Sequence, residues 1–189
     1  MQPDFAIRTT NSQDRALDRL AIADAAYIYG AAVDILGNNP APAHGPDDAL
    51  AQAAAKMAQA LTPDAKLTIY LAGPSGPAQA FGEGGPQSVA AAVRAYFTAY
   101  GYVGTQHPVS NVRVSFTGED SAIMTCDIPC YHWLADQRML LAPVTYYDTV
   151  VRVDGLWKIA TRSIYALRFW IAEGYAPDPL DPSMARPSA

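Results

Sequence analysis

The sequence predicts an α+β fold, with N-terminal helices packed on a strongly curved, mostly antiparallel sheet. Two observations carry that prediction. Apolar residues recur at helical spacing in three segments before residue 100, and from about residue 106 the pattern changes to long strand-like runs separated by turn signals. A chain of 189 residues, half of them hydrophobic and 16% charged, suits one domain with a sizeable core. The expected layout is a polar arm over 1–15, one domain over 16–172, and a Pro-rich tail over 173–189. The tail is a candidate lid.

The elements follow in order. "ALDRLAIADAAYIYGAAVDILG" (16–37) has helical spacing and stops at Gly37. The turn-rich "NNPAPAHGPDD" is a loop, and a second helix covers about Asp48–Leu61. "TPDAKLTIYLAG" gives a turn and a short strand, roughly Lys66–Leu71. "PSGPAQAFGEGGPQ" is a Gly/Pro-rich loop, after which Ser88 can cap a third helix, "VAAAVRAYFTAY". The loop "GYVGTQ" then leads into four strands, "HPVSNVRVSFT", "SAIMTCDIPCYHWLA", "RMLLAPVTYYDTVVRV" and "LWKIATRSIYALRFWI". Turns at "GED" and "DG" make hairpins of the first with the second and the third with the fourth. A curved sheet wrapped against helices makes a cone open at one end, a natural pocket for a small apolar ligand.

Composition excludes several classes of function. The net charge is −5 and Lys and Arg are not clustered, which argues against nucleic acid. No apolar run approaches the ~20 residues of a membrane span, and the N-terminus lacks the basic-then-apolar pattern of a signal peptide. A cytoplasmic protein with no membrane partner is expected. Cys126 and Cys130 lie four apart in a strand-like run, so their α-carbons stand ~13 Å apart, too far for a disulfide. Without paired histidines nearby they make a poor metal site and read as core residues. The sequence has no GxGxxG after a strand, no Walker loop, no HExxH and no GxSxG, and "GEGG" (83–86) lacks strand–turn–helix context. Hydride transfer, phosphoryl transfer and serine hydrolysis are disfavoured.

What remains is a set of polar residues in apolar rows. On the first helix Leu20, Tyr27, Ala31 and Asp34 fall within about 100° of arc, which places Asp34 on the expected apolar stripe. Burying a carboxylate is costly unless a partner holds it. In the second strand run Ala122, Met124, Cys126, Ile128, Cys130 and His132 share one face, so His132 closes an apolar row. His107 opens the preceding strand. Each histidine alone reads as a core or strand-end residue. Together with Asp34 they suggest a dyad, in which the carboxylate accepts one imidazole N–H and raises the basicity of the other nitrogen. Such a pair moves protons near neutral pH without a cofactor. Eleven tyrosines suit a flat-ringed ligand. Tyr70 and Tyr146 on strands, with Tyr27 and Tyr29 on the first helix, are the candidate substrate-binding residues.

The pieces "YIYGAAVD", "LTPDAKLTIY", "TQHPVSNVRVSFTGEDSA" and "VDGLWKIATRSI", in that order over about residues 16–170, resemble the SnoaL-like branch of the NTF2-like superfamily of cone-shaped α+β domains. Within it "TQH" before a strand, "GED" at a turn, the second histidine at His132 and "DGLWKIA" are similar to scytalone dehydratases. That resemblance implies that Asp34, His107 and His132 surround the substrate. It also implies that tyrosines hold a water or the substrate carbonyl, one of them at Tyr70 to within a residue of register. Val33 stands where those dehydratases have a tyrosine, and Val144 and Tyr146 stand where they have serine and asparagine, which points to a different ring pattern. The Asp–His pairing also resembles hexachlorocyclohexane dehydrochlorinases and bile-acid dehydratases, and the fold resembles sphingomonad diarylpropane formaldehyde lyases. The resemblance implies a cofactor-independent lyase for a small aromatic, phenolic or lignin-derived compound, assembled as a homo-oligomer, a trimer first. Two rivals are a non-catalytic subunit, like the small subunits of ring-hydroxylating dioxygenases, and an isomerase like the ketosteroid isomerases.

Overall fold

The computed structural model describes residues 12–71, 76–166 and 168–172. The expectations for residues 1–11 and for the tail with its lid lie outside the described residues. Helix α1 spans Ser12–Asn38, so residues expected in the polar arm form its first turn. Helix α2, Asp48–Ala60, is capped by Asp47, whose carboxylate accepts the Leu50 N–H at 2.9 Å. Leu61 then turns extended, and β1 runs over the whole of Leu61–Tyr70 rather than starting at about Lys66.

Two strands lie in segments expected as loops. β2, Ala78–Glu83, pairs antiparallel with β1. Helix α3 is Pro86–Tyr100, with Pro86 in its first turn and Gly85, not Ser88, at its N-cap. Gly85 has φ 88°, and a β-carbon there would stand 2.1 Å from the Pro63 carbonyl oxygen, so only glycine fits. After the left-handed Gly101 the chain enters β3, Tyr102–Gln106.

β4 (Ser110–Phe116), β5 (Ser121–Leu134), β6 (Met139–Val153) and β7 (Leu156–Ala166) follow, and a short β8 is Trp170–Ala172. The sheet runs β2-β1-β7-β6-β5-β3, with β4 also on β5 and β8 also on β6. β1 and β7 are parallel and every other pair is antiparallel. Both expected hairpins form: Thr117 and Gly118 donate to the Ser121 carbonyl, and Asp154 and Gly155 take φ 51° and 80°, as a type I′ turn requires. The three helices pack on this strongly curled mixed sheet to form a half-barrel, an α+β cone.

The inward row of β5 is as the alternation predicts, with Ala122, Met124, Cys126, Ile128, Cys130 and His132 all buried. Both cysteines are free. The stripe expected on α1 is wrong. Leu20 is 64% and Tyr27 49% exposed, and the buried face carries Ile22, Ala26, Tyr29, Val33 and Leu36 instead. Helix α1 is apolar on both faces, so periodicity alone could not fix its phase. For the same reason Gln13–Asn38 is, against expectation, long and apolar enough by composition to cross a membrane, yet half of its 18-residue apolar window is buried inside the fold.

Candidate active site

The C-terminal half of α1 meets the end of β3 at close range. Gly30 and Gly37 flank Asp34 by one turn on either side. A β-carbon at Gly30 would stand 3.1 Å from the His107 carbonyl oxygen, and one at Gly37 would overlap the Thr105 side chain. Two missing side chains thus let backbone 105–107 settle onto Asp34. The carboxylate receives three hydrogen bonds there: from His107 Nδ1 at 2.7 Å, from the His107 backbone N–H at 3.0 Å, and from Thr105 Oγ1 at 2.9 Å. A carboxylate only accepts, so Nδ1 carries the proton and Nε2 is the basic nitrogen. Asp34 therefore belongs to the site although the stripe that suggested it faces solvent; its side chain is 24% exposed.

His107 does not open a strand. It sits, buried, in the link between β3 and β4, both of which pair with β5. β3 aligns Thr105 opposite His132, which brings the two imidazoles to 5.2 Å between ring centroids, edge to face. Tyr102 stacks on His132 at 4.5 Å, and Phe97 stacks on His107 at 6.2 Å. Burial first, and the adjacent His107 second, push the His132 pKa down to about 3. His132 is thus a neutral ring at physiological pH, and its buried Nδ1 has no partner. It suits hydrogen bonding to a substrate oxygen better than proton storage.

Both histidines line an apolar cavity of about 510 Å³, counted out to its open mouth, with Phe97, Val144, Tyr146 and Tyr29 among its walls. Of the tyrosines expected to bind substrate, Tyr29 and Tyr146 are there, packed edge to face at 6.1 Å. Burial pushes Tyr29 up to about 12 and Tyr146 also upward, so both remain O–H donors. Tyr27 is not in the cavity, because it lies on the exposed side of α1. Nor is Tyr70, which packs on Tyr165 at 4.8 Å while its neighbour Ile69 lines the wall. The β1–β7 register shifts between Leu61 and Lys66, and that irregularity decides the parity. Cys130 also faces the cavity, but burial pushes its thiol pKa up, away from a nucleophilic thiolate.

Sequence reasoning missed the charged pair behind these tyrosines. Asp148 on β6 and Arg162 on β7 are cross-strand partners joined by two hydrogen bonds of 2.9 and 2.7 Å. The guanidinium lies 4.2 Å from the Tyr29 ring centre and 4.0 Å from that of Tyr146. Parity could have found Asp148, since it shares the inward row of β6 with Val144 and Tyr146. Among the described residues no three His, Cys, Asp or Glu side chains group as metal ligands.

This architecture is shared with known proteins. The SnoaL-like domain profile matches residues 14–163. The chain belongs to the SnoaL-like domain family. Among solved structures it is similar to a hexachlorocyclohexane dehydrochlorinase of type 3 from Novosphingobium barchaimii LL02, at 20% identity and TM-score 0.66 over 87% of this chain and 96% of that one. It is also similar to a provisionally named scytalone dehydratase from Novosphingobium aromaticivorans DSM 12444, at 19% identity and TM-score 0.61 over 90% and 98%. A third likeness is to the beta subunit of a provisionally named aromatic-ring-hydroxylating dioxygenase from that organism, at 15% identity and TM-score 0.59 over 84% and 94%. At these identities the likeness concerns the fold. No curated protein sequence matches the chain.

Proposed function

We propose that this SnoaL-like protein is a cofactor-independent lyase that eliminates water or formaldehyde from a small aromatic, phenolic or lignin-derived substrate. The observation that carries the reading is the Asp34 carboxylate 2.7 Å from His107 Nδ1, with the same imidazole lining an apolar cavity. Asp34 fixes the tautomer and stabilises the imidazolium that forms when Nε2 takes a proton. In dehydration the C–H electrons become the new double bond, the C–O bond breaks, and the imidazolium returns its proton to the departing hydroxyl as water. His132, Tyr29 and Tyr146 supply neutral hydrogen-bonding groups for a substrate oxygen, and the apolar walls hold the ring. Acid–base catalysis of this kind contributes roughly 10²–10⁴-fold, and orientation in a dry site supplies more. The dehydrochlorinase and dehydratase neighbours support a lyase, and the Asp34–His107 contact favours it over a subunit that only binds.

The test is a panel of phenolic alcohols and phenolic dimers followed by mass spectrometry. Loss of one water identifies a C–O lyase, and loss of one formaldehyde a C–C lyase. If His107→Ala keeps more than about a tenth of wild-type turnover, the assignment of the base is wrong. We propose further that the protein self-associates, as a trimer first. Ile123, Tyr131, Trp133, Leu141 and Val151 lie half-buried on strand positions facing away from the core. Sedimentation at a single monomer mass would overturn this.

A further inference from the structure

We infer that Thr105 is a positioning residue for the acid–base pair, the third member of a Thr105–Asp34–His107 relay. This rests on the reading of Asp34 and His107 as that pair. Two of the three hydrogen bonds on the carboxylate come from His107 itself, through Nδ1 and the backbone N–H. The Nδ1 bond cannot hold the carboxylate independently of the ring it is meant to orient, and the backbone N–H holds only the other oxygen, Oδ2. The Thr105 hydroxyl supplies the anchor from a different residue, 2.9 Å from the same Oδ1 that accepts from His107.

Thr105 is itself held from two sides. Its backbone N–H donates to Asn38 Oδ1 at 3.0 Å and its carbonyl accepts from Asn38 Nδ2 at 3.0 Å, so one side-chain amide stands in for a neighbouring strand. Gly37 packs against its side chain, and Thr105 is 3% exposed. The last turn of α1 therefore grips Thr105, Thr105 grips Asp34, and Asp34 orients His107. When the ring gains and loses a proton in each cycle, the attraction between ring and carboxylate changes, but the hydroxyl bond does not depend on that charge. It keeps the carboxylate facing Nδ1 through both states. A threonine kept only to fill space would do this as well with valine in its place.

The experiment uses the full chain with ¹⁵N-labelled histidine and needs no substrate. In the wild type the His107 spectrum should show a protonated Nδ1 and a bare Nε2, with an Nδ1–H slow to exchange with water. In Thr105→Val, whose amide spectrum shows that the fold is kept, loss of the anchor should speed that exchange by at least about tenfold and mix the two tautomers, while Thr105→Ser stays near wild type. If valine does not fold, Thr105→Ala, which adds no bulk, makes the same comparison with serine. Wild-type exchange and tautomer in the valine or alanine variant overturn the role of Thr105 and leave the Asp34–His107 pair intact. A wild-type His107 protonated on Nε2 overturns the pair itself.

Discussion

Asp148 and Arg162 face each other across β6 and β7 with neither side chain reached by solvent, joined by two hydrogen bonds, one to each carboxylate oxygen. Removing one partner leaves the other charge buried without compensation. Arg162→Met should therefore cost about 3–5 kcal/mol, whereas the double change Asp148→Leu with Arg162→Met should recover most of it. Urea unfolding of the three proteins checks this, and a double variant no better than the single would show that shape, not charge, governs the site.

The low pKa of His132 makes stability depend on pH with a definite sign. The folded protein keeps the ring neutral down to about pH 3, whereas an unfolded histidine takes its proton near pH 6.5. The unfolded chain thus binds the extra proton first. The contribution is complete above about pH 6.5 and is lost as the pH falls toward 3, at up to about 1.4 kcal/mol per pH unit. His132→Gln should flatten that slope by the same amount when chemical denaturation is repeated across the window.

Asp34→Asn should fold and bind substrate but turn it over at least about a hundredfold more slowly, because an amide cannot stabilise the imidazolium. His107→Ala should fall as far. The double variant should be no slower than either single, since the two residues act as one unit. Additive losses in steady-state rates would mean that they act separately.

Gly37→Ala places a methyl group where the Thr105 side chain now is. A change that raises helix propensity should here destabilise, by about 1–3 kcal/mol of overpacking. Thermal unfolding gives the sign. A more stable alanine variant would show that Thr105 yields easily.

Much of this was legible in the chain. The alternation of β5 put His132 and both cysteines on the inner face, the "GED" and "DG" turns set two hairpins, and Asp34 with His107 emerged as a pair. What was not legible depended on distant partners. β3 is five residues with a glycine at its centre and is a strand only because β5 lies beside it. β2 is likewise defined by β1. Helix α1 offers apolar residues on both faces, so the choice between Leu20 and Ile22 falls to the sheet. Tyr70 and Ile69 exchange faces according to a register shift that no local pattern announces. Arg162 follows the same logic, since its partner lies on the neighbouring strand.

The parallel ladder of β1 with β7 has a further consequence. It sets Leu61 beside Ile159 and Tyr70 beside Tyr165, and closing it has to wait until β7 has been made. Pairings so remote in sequence are slow to form, on the order of milliseconds to seconds. During synthesis the helices and the middle hairpins can assemble while β7 is still inside the ribosome. The wall bearing Ile164 and Ala166 arrives only with β7. The cavity therefore takes its full shape only after the elements that precede β7 have had time to assemble.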